Sequence, residues 1–167
     1  MRSRVLLSLC ISGLLLACAR GAARSTPSEA ALSDDGPVSP CNQEPTRLDT
    51  DVQVFITASP ANKVHFSTTD VKVGAGQTVQ FVSQVNQDRC IVVADAGLLA
   101  SGSQNPLTVA ACGTASWTLL ATDKSKDETA LWSCPTTSDG GCSHCADAQS
   151  IRETINGKLE VTSGGGV

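Results

Sequence analysis

The stretch WSCPTTSDGGCSHC, from Trp132 to Cys145, places three cysteines and one histidine within fourteen residues. Thiolates and an imidazole at that density suit a soft metal, Cu(I) or Zn(II), or a dinuclear copper arrangement. In an oxidising compartment the same cysteines form disulfides instead. Cys142-Ser143-His144-Cys145 is a C-x-x-C, and a histidine between two cysteines lowers a thiol pKa, as a redox dithiol requires. That motif normally opens a helix after a strand in a βαβ unit, a pattern this chain does not display. No second C-x-x-C accompanies it.

The compartment decides between these chemistries, and the N-terminus speaks to it. Arg2 and Arg4 precede an apolar run from Val5 to Ala17, too short to span a bilayer comfortably and of the length of a signal-peptide core. The run ends Leu15-Leu16-Ala17-Cys18 and resembles the lipobox of bacterial lipoproteins. A small residue there precedes the cysteine that is acylated and becomes the new N-terminus. Cys10 is a poor rival, because Leu9 before it is not small. Residues 1–17 are therefore expected to be a lipoprotein signal peptide, with Cys18 lipidated. Ala19 follows in place of an inner-membrane-retaining aspartate, so the expected location is the cell envelope, anchored in the outer membrane and facing the periplasm.

Loss of Arg2 and Arg4 leaves 10 basic against 16 acidic side chains, a net charge of −6. Such an acidic chain excludes nucleic acid as its expected partner. No basic amphipathic stretch is present, so lipid chains would carry the membrane attachment. Six cysteines remain after Cys18: Cys41, Cys90, Cys112, Cys134, Cys142 and Cys145. An even number in an exported chain permits three disulfides, with fifteen possible pairings.

Residues 18–48 are small, polar and punctuated by prolines, with no sustained period. They read as a flexible, lipidated tether, whose end Cys41 would pin to the domain. Residues 49–163 suit one domain with a single core, followed by a Gly-rich tail at 164–167. Within that domain the pattern is β. DVQVFI (51–56) alternates, with Val52, Val54 and Ile56 on one face. TVQFVSQV (78–85) does the same, with Val79, Phe81 and Val85 inward and Gln80 and Gln84 outward. KVHF (63–66), VKV (71–73), CIVV (90–93), PLTVAAC (106–112), SWTLLAT (116–122), ALWSC (130–134) and GKLEVT (157–162) add further strands. Turns lie between them at Ser59–Asn62, Gly74–Gln77, Ser101–Pro106 and Asp139–Gly141. Such short, regularly spaced strands indicate an all-β, Greek-key β-sandwich of about seven to eight strands. One short helix is expected at 147–154, capped by Asp147. Phe55, Phe66, Phe81, Trp117 and Trp132 are expected in the core.

HFSTTDVKVGAGQTVQFVS resembles the opening of a cupredoxin of the blue-copper, plastocyanin type. Val71, Val73, Gly76, Thr78, Val79 and Phe81 match that family's glycine turn between two strands. Trp132-Ser133-Cys134-Pro135 is similar to its aromatic-x-Cys motif, and Asn156-Gly157-Lys158-Leu159-Glu160-Val161 to its closing glycine and strand. The resemblance covers about residues 51–162. It implies a sandwich with a copper site at one end. A blue-copper centre takes two imidazoles, a thiolate and often an axial thioether. Cys134 fills the thiolate position. Cys90 stands where the first histidine belongs, and isoleucine stands at 155, near the methionine position. The mature chain has no methionine. The resemblance thus implies an inherited fold with a degenerate copper site.

The resemblance also implies that Cys90 and Cys134 face each other at the vacated ligand end, close enough for a disulfide. Cys142 and Cys145 would close a local bridge or pair elsewhere, with Cys41 and Cys112 as candidates. The competing reading is a metal site of Cys90, Cys134, Cys142, His144 and Cys145, for which Gly140-Gly141 lets the long loop fold back. On the first reading the chain takes no cofactor; on the second it takes copper and serves electron transfer or metal handling. Neither makes it an enzyme. His65 and His144 have no nucleophile at supporting spacing, and His65 reads as a structural or surface residue. The mixed charge run at 123–128 reads as an exposed hairpin loop. A periplasmic protein or redox partner is left open.

Overall fold

The computed structural model describes residues 38–121, 127–146 and 154–163. The expected signal segment, Cys18, the first part of the expected tether, the helix expected at 147–154 (all but Thr154) and the Gly-rich tail lie outside the described residues. Nine strands form two sheets: β1 (Val52–Ala58), β2 (Val64–Phe66), β3 (Asp70–Gly74), β4 (Thr78–Ser83), β5 (Arg89–Val93), β6 (Leu107–Val109), β7 (Thr114–Thr118), β8 (Asp127–Pro135) and β9 (Ile155–Thr162). One sheet runs β2-β1-β4-β7, the other β3-β9-β8-β5-β6. Most connections cross from one sheet to the other, in Greek-key manner; β1–β2, β5–β6 and β8–β9 stay within a sheet. Two parallel pairings, β1 with β4 and β3 with β9, stitch this order together.

Alternation explains the core. Val54 and Ile56 of β1, Val79 and Phe81 of β4 and Trp117 of β7 point from one sheet. Val71, Val73, Ile91, Val93, Leu131, Leu159 and Val161 meet them from the other. Phe81 takes Trp117 edge-on, with ring centroids 5.2 Å apart, and Phe66 at 6.5 Å, the tilted geometries that aromatic quadrupoles favour. Gly76 (φ 78°) makes the turn from β3 to β4, a conformation that costs glycine little.

Three details differ from the expectation. Gln80 lies on the outward face but is fully buried there. β4 lies inside its sheet, and the chain before β1 crosses its other face, where the Leu48 amide donates to Gln80 Oε1 at 3.2 Å. Phe55 points away from the core and lies beneath the Arg47 guanidinium, 4.8 Å from the ring centroid. Trp132 also leaves the main core and packs on a second, smaller cluster described below.

The end of the segment read as tether is held against the domain. Pro40 bridges Val85, the Cys41 amide donates to Gln84 O at 3.1 Å, and Val38 is buried. Cys41 is bonded to Cys112, so it pins this segment as expected.

Candidate functional site

In β5 and β8, period two decides which cysteines meet. Ile91, Val93 and Leu131 point into the inter-sheet core. Their sequence neighbours Cys90, Val92, Trp132 and Cys134 must point to the opposite, outer face of the sheet. Cys90 pairs directly with Cys134 across the two strands, and Val92 with Trp132. On the inner side, Arg89 and Ser133 occupy the end of the same strands. Both are fully buried; Arg89 Nε donates to Ser133 Oγ at 3.3 Å and Nη1 to Gln87 Oε1 at 2.8 Å.

The expectation that Cys90 and Cys134 face one another at a ligand site at the end of the sandwich is thereby corrected. They face one another, but on the outside of the sheet. Nor are they bonded together. Cys90 pairs with Cys142 and Cys134 with Cys145, at Cα separations of 5.6 and 6.1 Å. The C-x-x-C therefore closes no local bridge; each half takes one of two neighbouring strand cysteines. Directly opposed strand residues lie about 4.5–5.5 Å apart in Cα, within disulfide reach, so proximity alone does not choose the partner. The loop from Thr136 to Ala146 folds back over the strands and brings two competing sulfurs down onto them.

That fold-back has local causes. Gly140 (φ 78°) allows a reversal. Thr137 N donates to Gly141 O at 3.0 Å, and Gly140 N to Thr137 O at 2.8 Å. Gly141 N reaches Thr137 Oγ1 at 2.9 Å and Asp139 Oδ1 at 3.2 Å, while Thr137 Oγ1 also bonds the Asp139 carboxylate. A Cβ on Gly141 would sit 2.9 Å from Thr137 Oγ1. The hydroxyl of Thr137, the Gly141 amide and the amide of Asp139 itself hold the Asp139 carboxyl below the usual carboxylate range, and His144 adds to that. Thr136 N anchors the loop to Asp88 O at 3.1 Å. A single 3-10 turn, Ser143–Ala146, then presents both C-x-x-C cysteines to the sheet. Trp132 closes the side, its Nε1 donating to Cys145 O at 2.7 Å.

The result is a compact sulfur cluster with its own small apolar environment. Cys90, Cys134 and Cys145 are fully buried, and their three Sγ atoms lie within 4.8 Å of one another. Cys142 is half-buried and receives the Thr108 hydroxyl at 3.4 Å. His144 Nε2 lies 3.4 Å from Cys134 Sγ and 3.9 Å from Cys145 Sγ, and donates to Pro135 O at 2.8 Å in the tautomer this geometry favours. Its Nδ1 is buried without a partner. The expected residues Cys90, Cys134, Cys142, His144 and Cys145 thus come together. Cys41 and Cys112 form a separate bridge away from them. His65 lies exposed on β2, near Thr57 Oγ1 at 3.0 Å. Trp132, Thr108 and Thr137 complete the site. Trp132 and Thr108 share the outward parity of Cys134 and Cys90, a signal the C-x-x-C motif alone does not carry.

β3 runs through the Gly74–Gln77 turn into β4 on the other sheet, and the Trp132-Ser133-Cys134 strand lies beside the closing strand β9, which also pairs with β3. The fold is cupredoxin-like. No protein-family model and no curated protein matches the chain. Among solved structures, it is similar to a purple cupredoxin from Nitrosopumilus maritimus at 12% identity, covering 67% of this chain and 100% of that one, with a TM-score of 0.39. A mutant plastocyanin of a fern shows 16% identity over 66% of this chain and 99% of that one, with a TM-score of 0.41. A laccase from Pediococcus acidilactici shows 13% identity over 81% of this chain but 32% of that one, with a TM-score of 0.42.

A blue-copper centre requires two imidazoles and a free thiolate. The cluster offers one imidazole, and its four sulfurs are spent in disulfides. This bonded arrangement does not fit that ligand set. As thiolates the same sulfurs would be soft metal ligands.

Proposed function

We propose that the protein is a lipid-anchored cupredoxin-like module of the cell envelope, with a degenerate copper site, stapled by disulfides and acting in binding or structure rather than catalysis. The observation that carries this reading is the pairing of Cys41, Cys90, Cys112, Cys134, Cys142 and Cys145 in three disulfides. Persistent disulfides belong to oxidising compartments, in keeping with the export signal and with Cys18 as the lipidated residue. The outer face of the β5–β8 pair takes no cofactor in this form. Its partner is the outer membrane, through the lipid; the net charge of −6 left after signal removal disfavours nucleic acid.

A second reading, copper binding for electron transfer or metal handling, is favoured by one observation: three buried sulfurs within 4.8 Å of each other beside an imidazole. One preparation separates the two. The full chain, purified in detergent without reductant, is titrated for thiols and assayed for metals. The disulfide reading expects no reactive thiol before reduction, six after it, and no stoichiometric metal. Free thiols accompanied by copper would establish the second reading instead. Labelled palmitate should enter the wild-type protein and not a Cys18→Ala variant.

A further inference from the structure

We infer that the outer-face cysteine cluster is a reduction-gated site for one soft d10 cation, Zn(II) or Cu(I), bound by the thiolates of Cys90, Cys134, Cys142 and Cys145. The inference rests on the disulfide-closed form proposed above as its oxidised state. Three of the sulfurs already lie within 4.8 Å of one another, and the fourth, Cys142, is bonded to one of them. Sulfurs of a tetrahedral zinc–thiolate set, with bonds of about 2.3 Å, stand about 3.8 Å apart. The cluster needs only to relax from bonded to ligand spacing. His144 Nε2 is engaged by Pro135 O and neither ring nitrogen joins the group within 4.8 Å, so Cys142, bonded to Cys90, is the fourth donor.

The backbone that carries the sulfurs does not depend on the disulfides. Cys90 and Cys134 are opposed on interior strands whose ladder runs from Arg89↔Pro135 to Val93↔Leu131. The loop is held by the Thr137, Asp139 and Gly141 hydrogen bonds, by Thr136 N on Asp88 O, and by Trp132 Nε1 on Cys145 O. Reduction therefore frees four thiols in a preformed place.

Access is ordered as well. Cys142 is half-buried, whereas Cys90, Cys134 and Cys145 are fully buried, so an incoming thiolate meets Cys142 first. A dithiol donor attacks Cys142 Sγ, the Cys90–Cys142 bond breaks, and its electron pair leaves on Cys90. The donor's second thiol then displaces Cys142 and the donor departs as a disulfide. A second donor molecule reduces Cys134–Cys145 in the same way. Two dithiols are oxidised, two protein disulfides become four thiols, and these lose their protons to solvent as the cation binds. The reverse exchange with two disulfide-bearing acceptors, each leaving as a dithiol, re-forms both bonds and expels the cation.

The test uses the full chain in detergent, reduced with a phosphine under anaerobic conditions. Co(II) is titrated first as a spectroscopic stand-in, then Zn(II) as displacer; Cu(I) is delivered from a chromophoric chelator in a separate arm. The expected result is one equivalent per chain, with thiolate-to-cobalt charge-transfer bands that Zn(II) abolishes, and no binding by the unreduced protein. The two arms show which cation binds more tightly. Cys90→Ser is the deciding variant, because Cys90 lies far upstream on β5 and a flexible C-x-x-C segment would be indifferent to it. Loss of even an outer-shell partner weakens metal sites about 10–100-fold, so Cys90→Ser should weaken binding at least that far, and Cys41→Ser should not. Absence of stoichiometric binding after reduction overturns the inference, as does equal binding by Cys90→Ser or binding by the unreduced protein. The thiol count on untreated protein tests the disulfide-closed form independently.

Discussion

Trp132 shows how one side chain serves two structures. Its ring covers the sulfur cluster, and its indole nitrogen holds the Cys145 carbonyl at 2.7 Å. A Trp132→Phe variant keeps a ring but leaves that carbonyl without its donor. The expected cost is about 1–3 kcal/mol, read as a lower denaturant midpoint, with the domain still folded. The residue types of the site were legible in the sequence: the cysteines and His144 that were grouped by type do converge. Their orientation was also encoded, since Ile91 and Leu131 are core residues and fix Cys90 and Cys134 on the outer side by alternation. The pairing was not. Opposed strand cysteines and a C-x-x-C present several disulfides within reach, and the choice depends on how the Thr136–Ala146 loop lands. The burial of Gln80 and the outward turn of Phe55 were missed for a related reason. A strand's pattern does not reveal that a preceding segment covers its outer face, burying Gln80, or that Arg47 shelters Phe55.

At the scale of elements, strands read well because they alternate. β1, β4, β8 and β9 lie where apolar periodicity placed them, and β8 extends further, to nine residues. The 3-10 turn at Ser143–Ala146 left no periodic signal, being a single turn. The loop before it is built on the Asp139 carboxylate. Its pKa is lowered in the fold by the Thr137 hydroxyl first, then by the Gly141 amide. A lowered carboxyl contributes stability that is complete above its ordinary value and is lost as pH falls through the lowered one. Acidification through and below the ordinary carboxylate range should therefore lower the protection factors, exchange measured relative to the intrinsic rate at each pH, of the Gly140 and Gly141 amides. An Asp139→Asn variant should exchange faster at neutral pH and lose that dependence. The bridges should also rank by loop length. Cys41–Cys112 spans 71 residues and Cys134–Cys145 spans 11; chain-entropy arguments assign these roughly 4.4 and roughly 2.8 kcal/mol. Replacing the first pair by serines should lower the thermal midpoint more than replacing the second.

For the whole molecule, a small domain gains much of its margin from such bridges, since total stability is only about 5–15 kcal/mol. The two-sheet class followed from composition and strand spacing, whereas the ordered chain from Val38 to Leu48 did not, because its polar, proline-rich sequence resembles a tether. Its anchor is the Cys41–Cys112 bridge and the backbone bonds around Pro40. The central claim is that the cysteines are closed upon one another in one pattern, with the C-x-x-C divided between two strands. Non-reducing proteolysis of the full chain followed by mass mapping of the linked peptides tests it directly. The expected result is Cys41–Cys112, Cys90–Cys142 and Cys134–Cys145; a Cys90–Cys134 or Cys142–Cys145 linkage, or free thiols at these positions, would contradict it.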